Sequence, residues 1–236
     1  MIPRRPVISY IFSSLNVPPE RIPTDSDSFT LTAHPQTDLW RKPPGQDTST
    51  APVLFTNLRF PFVSAEVTVD AKWALEWDQA GLVIFAGAPP GVTPISPTAN
   101  TDLPPPYSAG PATGTKWVKV GLEFSNDACH ASCTVASAEG ADWAISSLPP
   151  AIERRGDLRI KLERLAQALW VYYEDERGAW RKFREVTGFF CGVQDKAVRV
   201  GVYASRPAGF GGGGQGGSFE GVDRNLTVEF QDLLIF

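Results

Sequence analysis

The sequence predicts an all-β fold, a sandwich of two antiparallel sheets, on three observations. Residues 116–124 (KWVKVGLEF) alternate strictly, with Val118, Val120, Leu122 and Phe124 on one side and Trp117, Lys119, Gly121 and Glu123 on the other. A period of two marks a strand with one face in an apolar core. The chain holds 21 glycines and 21 prolines that punctuate short apolar runs, which favours strands and loops over helices. Seven tryptophans, fourteen phenylalanines and five tyrosines are many for 236 residues, and rings suit a pleated, half-buried surface.

The elements follow in chain order. Residues 1–27 are proline-broken and polar without a period, and read as an N-terminal arm. Residues 28–236 show one composition regime and no internal repeat, so a single sandwich domain is expected. In the first strand Phe29, Leu31 and Ala33 alternate against Thr30 and Thr32. The stretch from His34 to Lys42 runs to a Pro44-Gly45 turn, and Leu54-Phe55 is a short apolar strand. Within 62–70 the core face is Val63, Ala65, Val67 and Val69. Residues 82–86 (LVIFA) are apolar throughout, as in a strand buried on both faces.

A proline- and glycine-rich insertion fills 87–115. It reads either as a lid on the polar face of the next strand or as a tolerated surface loop, the second favoured because scaffold loops lengthen at small entropic cost. Beyond residue 124 come strands near 131–137 and 142–145. Residues 158–165 (LRIKLERL) alternate as a strand, with a helix as the alternative. A hairpin joins 169–173 to 180–186 through the turn at 174–178, followed by a strand at 198–204, a glycine-rich loop at 209–218 and a last strand at 226–236.

Composition excludes several function classes. The net charge of −4 is interspersed, with no basic footprint for nucleic acid. No run of about 18 apolar residues exists to span a membrane. The first twenty residues lack the apolar centre of a secretory signal, so a cytoplasmic protein is expected. Three cysteines do not build a disulfide framework, and free thiols fit a reducing compartment. Cys129 and Cys133 flank an expected hairpin turn and could pair only if oxidised. With His130 they form at most half a metal site, and with two histidines in the chain no metal and no cofactor is expected.

Several segments, in order, resemble a known family. They are Asp38-Leu39-Trp40-Arg41, Asp78-Gln79-Ala80-Gly81-Leu82, residues 117–124, Asp142-Trp143, residues 201–207 and residues 228–232. Together they resemble the concanavalin A-like family named regulation of enolase protein 1, across residues 28–236. The resemblance implies a jelly-roll sandwich of two curved antiparallel sheets and no settled activity. One fungal branch of the family is linked by name to carbon-source metabolism and enolase, and related sandwiches bind or hydrolyse glycans. The insertion at 87–115 and the glycine run depart from the family's usual pattern.

The chemistry-bearing residues support binding better than catalysis. Glycoside hydrolysis needs two carboxyl groups roughly 5 to 9 Å apart. The sequence has no Glu-x-Asp-x-x-Glu string, and the best pair is Glu123 with Glu66. Lys119 is an equally natural salt-bridge partner for Glu123. His34 near Asp38 is either a general base or an exposed loop histidine. No Gly-x-Ser-x-Gly elbow occurs, and the glycines at 209–214 lack the Lys-Ser/Thr of a phosphate loop. The expected ligand-binding set is His34, Asp38, Trp40, Gln79, Trp117, Lys119, Glu123, Tyr203 and Arg206, with Trp40 and Trp117 offering rings for stacking. Trp143 and Trp180 read as packing residues. The expected function is binding of a carbohydrate or sugar-like small molecule on a concave face, with a regulatory role in carbon metabolism. The alternative is an enzyme of the same fold, a glycoside hydrolase or a cofactor-free isomerase or cyclase, with Glu123, Lys119, His34 and Glu66 as catalytic candidates.

Overall fold

The computed structural model describes residues 10–43, 46–91, 115–193, 197–209 and 221–236. The expected Pro44-Gly45 turn, most of the 87–115 insertion and most of the glycine-rich loop lie outside these residues. Strands are numbered along the chain. One sheet has seven, in the order β1 (Ser13–Leu15), β5 (Val53–Asn57), β14 (Val198–Ser205), β7 (Gln79–Ala86), β8 (Lys116–Ser125), β9 (Ala128–Ser137) and β10 (Gly140–Ser147). The other has six, in the order β13 (Trp180–Val186), β12 (Ala168–Glu174), β11 (Asp157–Leu165), β6 (Ser64–Ala71), β15 (Leu226–Ile235) and β2 (Ser28–Ala33). A separate hairpin joins β3 (Leu39–Lys42) to β4 (Gln46–Ser49). All pairings within the sheets are antiparallel. One short helix, α1 (Pro150–Glu153), is a single turn before β11.

The main core lies between the two sheets. Val118, Val120 and Leu122 of β8, Leu82 and Ile84 of β7, and Val200 and Val202 of β14 face Val67 and Val69 of β6, Ile160 and Leu162 of β11, and Val228 and Phe230 of β15. Each such side chain fully removed from water contributes about 1.5 to 3 kcal/mol. A smaller apolar layer covers the opposite face of the seven-stranded sheet: Val83, Phe85, Trp117, Ala136, Tyr203, Val53 and Phe55 pack with Leu39 of the β3–β4 hairpin. Burial on both faces explains why residues 82–86 carry no polar alternation.

The hairpin is pinned from below by Arg41, which is 2% exposed. Its guanidinium forms a two-pronged pair with Asp47 at 2.7 and 2.8 Å and donates to the carbonyls of Thr115 at 2.7 Å and Ser137 at 3.0 Å. At the far edge Arg184 of β13 pairs with Asp142 of β10, tying the two sheets together.

Several expectations change. Within the stretch read as an arm, Ser13–Leu15 pairs with β5, and Tyr10, Phe12, Val17 and Ile22 pack on the core. Val63 is 56% exposed, because the strand begins one residue later at Ser64. Residues 157–165 are strand throughout. Cys129 and Cys133 do not flank a turn; both lie on the inward face of β9 as free thiols. Four residues of strand separate them by about 13 Å, too far for a disulfide. Among the described residues no helix is long and apolar enough to cross a membrane.

Candidate functional site

Strand parity sends Lys119 and Glu123 of β8 away from the main core, onto the hairpin-covered face of the seven-stranded sheet. The register across this face is fixed. Glu123 stands opposite Gln79 of β7 and His130 of β9, and Gln79 stands opposite Ser205 of β14. Gly121 stands opposite Gly81 and Ser132, and Lys119 opposite Val83 and Thr134. Thr134 in turn stands opposite Trp143 of β10. The glycines let adjacent strands approach closely: a Cβ on Gly121 would lie 1.8 Å from the Ala80 carbonyl oxygen.

The buried cation on this face is paired, and the buried carboxyl is held by neutral donors. The Lys119 ammonium, 1% exposed, donates to Asp38 Oδ1 at 2.9 Å. It also lies 5.8 Å from the Trp40 ring centre and 5.6 Å from that of Tyr203, within cation–π range. Asp38 comes from the segment that leads into β3, and Ser205 Oγ also donates to it at 3.3 Å. Glu123 does not pair with Lys119, contrary to the sequence expectation. Its Oε2 accepts from Ser132 Oγ at 2.5 Å and from the Trp143 indole N–H at 3.1 Å. Burial pushes the Glu123 carboxyl above its ordinary value, against the opposing pull of those two hydrogen bonds and the Lys119 charge; the Asp38 charge adds to the rise. Burial, followed by the charges of Glu123 and Asp38, holds the Tyr203 phenol well above its ordinary value. That phenol is a neutral donor, and it reaches Gln79 Oε1 at 3.4 Å.

Three buried side-chain atoms among the described residues have no hydrogen-bond partner: Trp117 Nε1, Thr134 Oγ1 and His130 Nδ1. All three side chains belong to this same face by parity and register. His130 Nε2 donates to the Ser125 carbonyl at 3.0 Å, and Nδ1 is left without a partner. Trp143 lies partly in solvent here, 41% exposed beside Glu123. Gln79 Nε2 donates to the backbone carbonyl of Trp77, in the turn before β7, at 3.3 Å.

The structure therefore gathers Asp38, Trp40, Gln79, Trp117, Lys119, Glu123 and Tyr203 on one face. It does not bring the others there. Glu66 projects from the outer face of the six-stranded sheet, where Arg159 pairs with it at 2.9 Å. Glu123 and Glu66 thus point out of opposite sides of the sandwich and cannot flank one bond. His34 is exposed at the end of β2, donates to Asn225 Oδ1 at 3.0 Å, and lines a different groove of about 530 Å³ with Asn16, Arg21, Thr30 and Thr32. Arg206, 1% exposed, is held by Asp78 at 2.7 Å and by the carbonyls of Asp223 and Arg224.

Sequence reasoning missed Ser132, Thr134, His130 and Trp143. Trp143, expected to pack, donates to the buried carboxylate. The signal was present in the alternation of β9 and β10, but only the register between strands places it beside Glu123. Among the described residues no group of three or more His, Cys, Asp and Glu gathers as a metal centre.

Comparison with known proteins fits this architecture. A protein from Emericella nidulans named "Uncharacterized protein AN7484" is 32% identical over 232 residues, covering 95% of this chain and 94% of its own. A functionally unknown protein from Saccharomyces cerevisiae superposes with a TM-score of 0.64 at 18% identity, covering 95% of each chain. The laminarinase catalytic domain from Thermotoga maritima superposes at 0.52 and 10% identity over 92% of this chain and 80% of its own. A xylan beta-1,4-xylosidase from Bacillus halodurans superposes at 0.51 and 10% identity over 86% of this chain and 32% of its own. These structural likenesses are of fold: two antiparallel sheets in a concanavalin A-like jelly-roll sandwich. The family described as "Protein of unknown function (DUF1349)" matches residues 15–235, and the chain belongs to it.

Proposed function

We propose that this protein binds a carbohydrate or sugar-like small molecule on the hairpin-covered face of its seven-stranded sheet, as a cytoplasmic component with a regulatory role in carbon metabolism. The partner is a glycan or small metabolite, not nucleic acid. One observation carries the reading: the three buried, unpartnered polar atoms Trp117 Nε1, Thr134 Oγ1 and His130 Nδ1 all belong to this face. Buried polar groups are nearly always hydrogen-bonded. All three atoms are closed to solvent in the free protein, so a hydroxyl-rich ligand supplies their missing partners only as the cover over this face opens, with the rings of Trp40 and Trp143 beside it.

The test is calorimetric titration against oligosaccharides derived from xylan and laminarin, the polymers named by two structural neighbours. Thr134→Val keeps the shape of the side chain and removes its hydroxyl. The expected result is unchanged or higher stability, since no hydrogen bond is lost in the free protein, with affinity weakened by roughly tenfold. Absence of binding across the panel would remove the reading.

The raised proton affinity of Glu123 favours a second reading, an enzyme of this fold in which Glu123 acts as general acid. Turnover of those glycans that disappears in Glu123→Gln would select it.

A further inference from the structure

The outer face of the six-stranded sheet carries a strip of rings that belongs to neither apolar core. By strand parity Trp170 and Tyr172 of β12 and Trp180 of β13 point away from the main core, on the side of Arg159, Lys161 and Glu163 of β11. The ring geometry agrees. Trp170 and Tyr172 lie 6.3 Å apart, centre to centre. The Lys161 ammonium sits 4.6 Å from the Tyr172 ring centre and 5.0 Å from that of Trp180, and the Lys182 ammonium 4.4 Å from that of Trp170. Rings and ammonium groups therefore form one continuous strip across β12 and β13.

The strip is open. Among the described residues no strand or helix is laid over it, and the β3–β4 hairpin covers the opposite side of the sandwich. Tyr172 is buried by its neighbours. Trp170 and Trp180 are half-buried, and neither indole N–H has a hydrogen-bond partner among the described residues. Cross-strand pairing does not require such rings. The other half of the same face, on β6, β15 and β2, carries residues such as Thr30, Thr68, Asp70, Thr227 and Glu229, and no aromatic one. Large rings left on a wet surface beside polar groups mark places where something docks.

Charge decides what docks. Arg159 pairs with Glu66 at 2.9 Å, Lys161 meets Glu163 at 3.5 Å, and Glu174 and Glu185 stand opposite Trp180 and Trp170. The carboxylates oppose a polyanion and the cations oppose a polycation, because like charges brought together are costly. A neutral ligand with apolar faces for the rings, and both donors and acceptors for the paired charges, fits this surface. The glutamate that faces Trp180 lies four strand residues from Trp170, about 13 Å along β12, more than a single sugar spans. We propose that a neutral glycan chain lies along this strip, its C–H faces stacked on Trp170 and Trp180 and its hydroxyls bonded to Lys161, Lys182 and Glu163. Lys182 is exposed and swings off the Trp170 ring to admit the sugar, giving up one cation–π contact. Tyr172 acts as a positioning residue through Lys161, which holds the Trp180 ring. This site lies on the opposite side of the sandwich from the hairpin-covered face and does not depend on the reading of that face.

The experiment titrates laminaritetraose, xylotetraose, glucose and tetragalacturonate by calorimetry. The proteins are wild type, Thr134→Val, the pair Trp170→Ala with Trp180→Ala, and the pair Trp170→Phe with Trp180→Phe, each checked for folding by far-UV circular dichroism. Expected are binding of a neutral tetramer to wild type, a loss of at least about tenfold in the alanine pair, and near-wild-type affinity in the phenylalanine pair. Thr134→Val should leave this binding step unchanged. The indole N–H resonances missing from the phenylalanine pair should move when the tetramer is added to wild type. Wild-type affinity in the alanine pair, or stationary indole resonances while wild type binds, overturns the strip and leaves the hairpin-covered face as the place to look. Glucose bound as tightly as the tetramers overturns the extended chain, and tighter binding of tetragalacturonate overturns the neutral ligand. A wild type that dimerises, and turns monomeric in the alanine pair, assigns the face to a second copy and overturns the sugar. A wild type that binds no neutral tetramer overturns the proposal outright.

Discussion

Glu123 occupies a site where two effects oppose each other. Burial disfavours its charge, whereas hydrogen bonds from Ser132 and Trp143 and the nearby Lys119 charge favour it; burial is the larger. The folded protein therefore binds this proton more tightly than the unfolded chain. The stability it contributes is fully present below the unfolded value near 4.5 and is lost as pH rises through the raised folded value. Glu123→Gln cannot titrate. The stability of wild type minus that of Glu123→Gln should fall as pH rises across that window, by at most about 1.4 kcal/mol per pH unit, and level off above it. Urea denaturation at a series of pH values measures this. A difference that stays flat, or grows with pH, would show that burial does not dominate at this carboxyl.

At the level of the strand, close approach of backbones shapes the site. Gly121 and Gly81 face each other across β8 and β7, and a Cβ on either would collide with the neighbouring strand's backbone. Gly121→Ala should destabilise by about 1 to 3 kcal/mol with an unchanged urea m-value, since strand β8 must shift to relieve the clash. Gly188→Ala, with nothing within 4 Å of the added carbon, should change stability by less than about 0.5 kcal/mol. The same strands show what sequence reveals. Alternation is a local property, so the parity of β8 and the double burial of residues 82–86 were both legible. Which sheet a polar face belongs to is not local. Glu66 and Glu123 have equivalent patterns yet leave opposite sides of the molecule. Arg206 reads as a site cation in the sequence because nothing in its sequence neighbourhood announces Asp78, 128 residues away. The covering role of the β3–β4 hairpin was invisible for the same reason: Arg41 holds it through carbonyls 74 and 96 residues distant.

For the molecule as a whole, the three thiols report on the integrity of the sandwich. Cys191 is exposed, whereas Cys129 and Cys133 line the inward face of β9. Burial pushes the Cys129 thiol up to about 11 and the Cys133 thiol up to about 12. At pH 8 their thiolate fractions are then on the order of one in a thousand and one in ten thousand, far below that of an ordinary cysteine. A disulfide reagent should modify one thiol rapidly in the native protein and the other two only as the sandwich opens. If the two sheets open as one cooperative unit, labelling of Cys133 should accelerate with urea with the slope of global unfolding. Labelling of Cys133 that ignores urea would mean that β8 to β10 open locally, apart from the rest. Cys133 stands directly before Thr134, so a ligand that engages the proposed site stabilises the closed state of that segment. Saturation with a sugar that binds there should slow labelling of Cys133 by the factor one plus ligand concentration over Kd, while Cys191 is unaffected. Equal rates with and without a bound sugar would place that sugar somewhere other than the β8–β9 face.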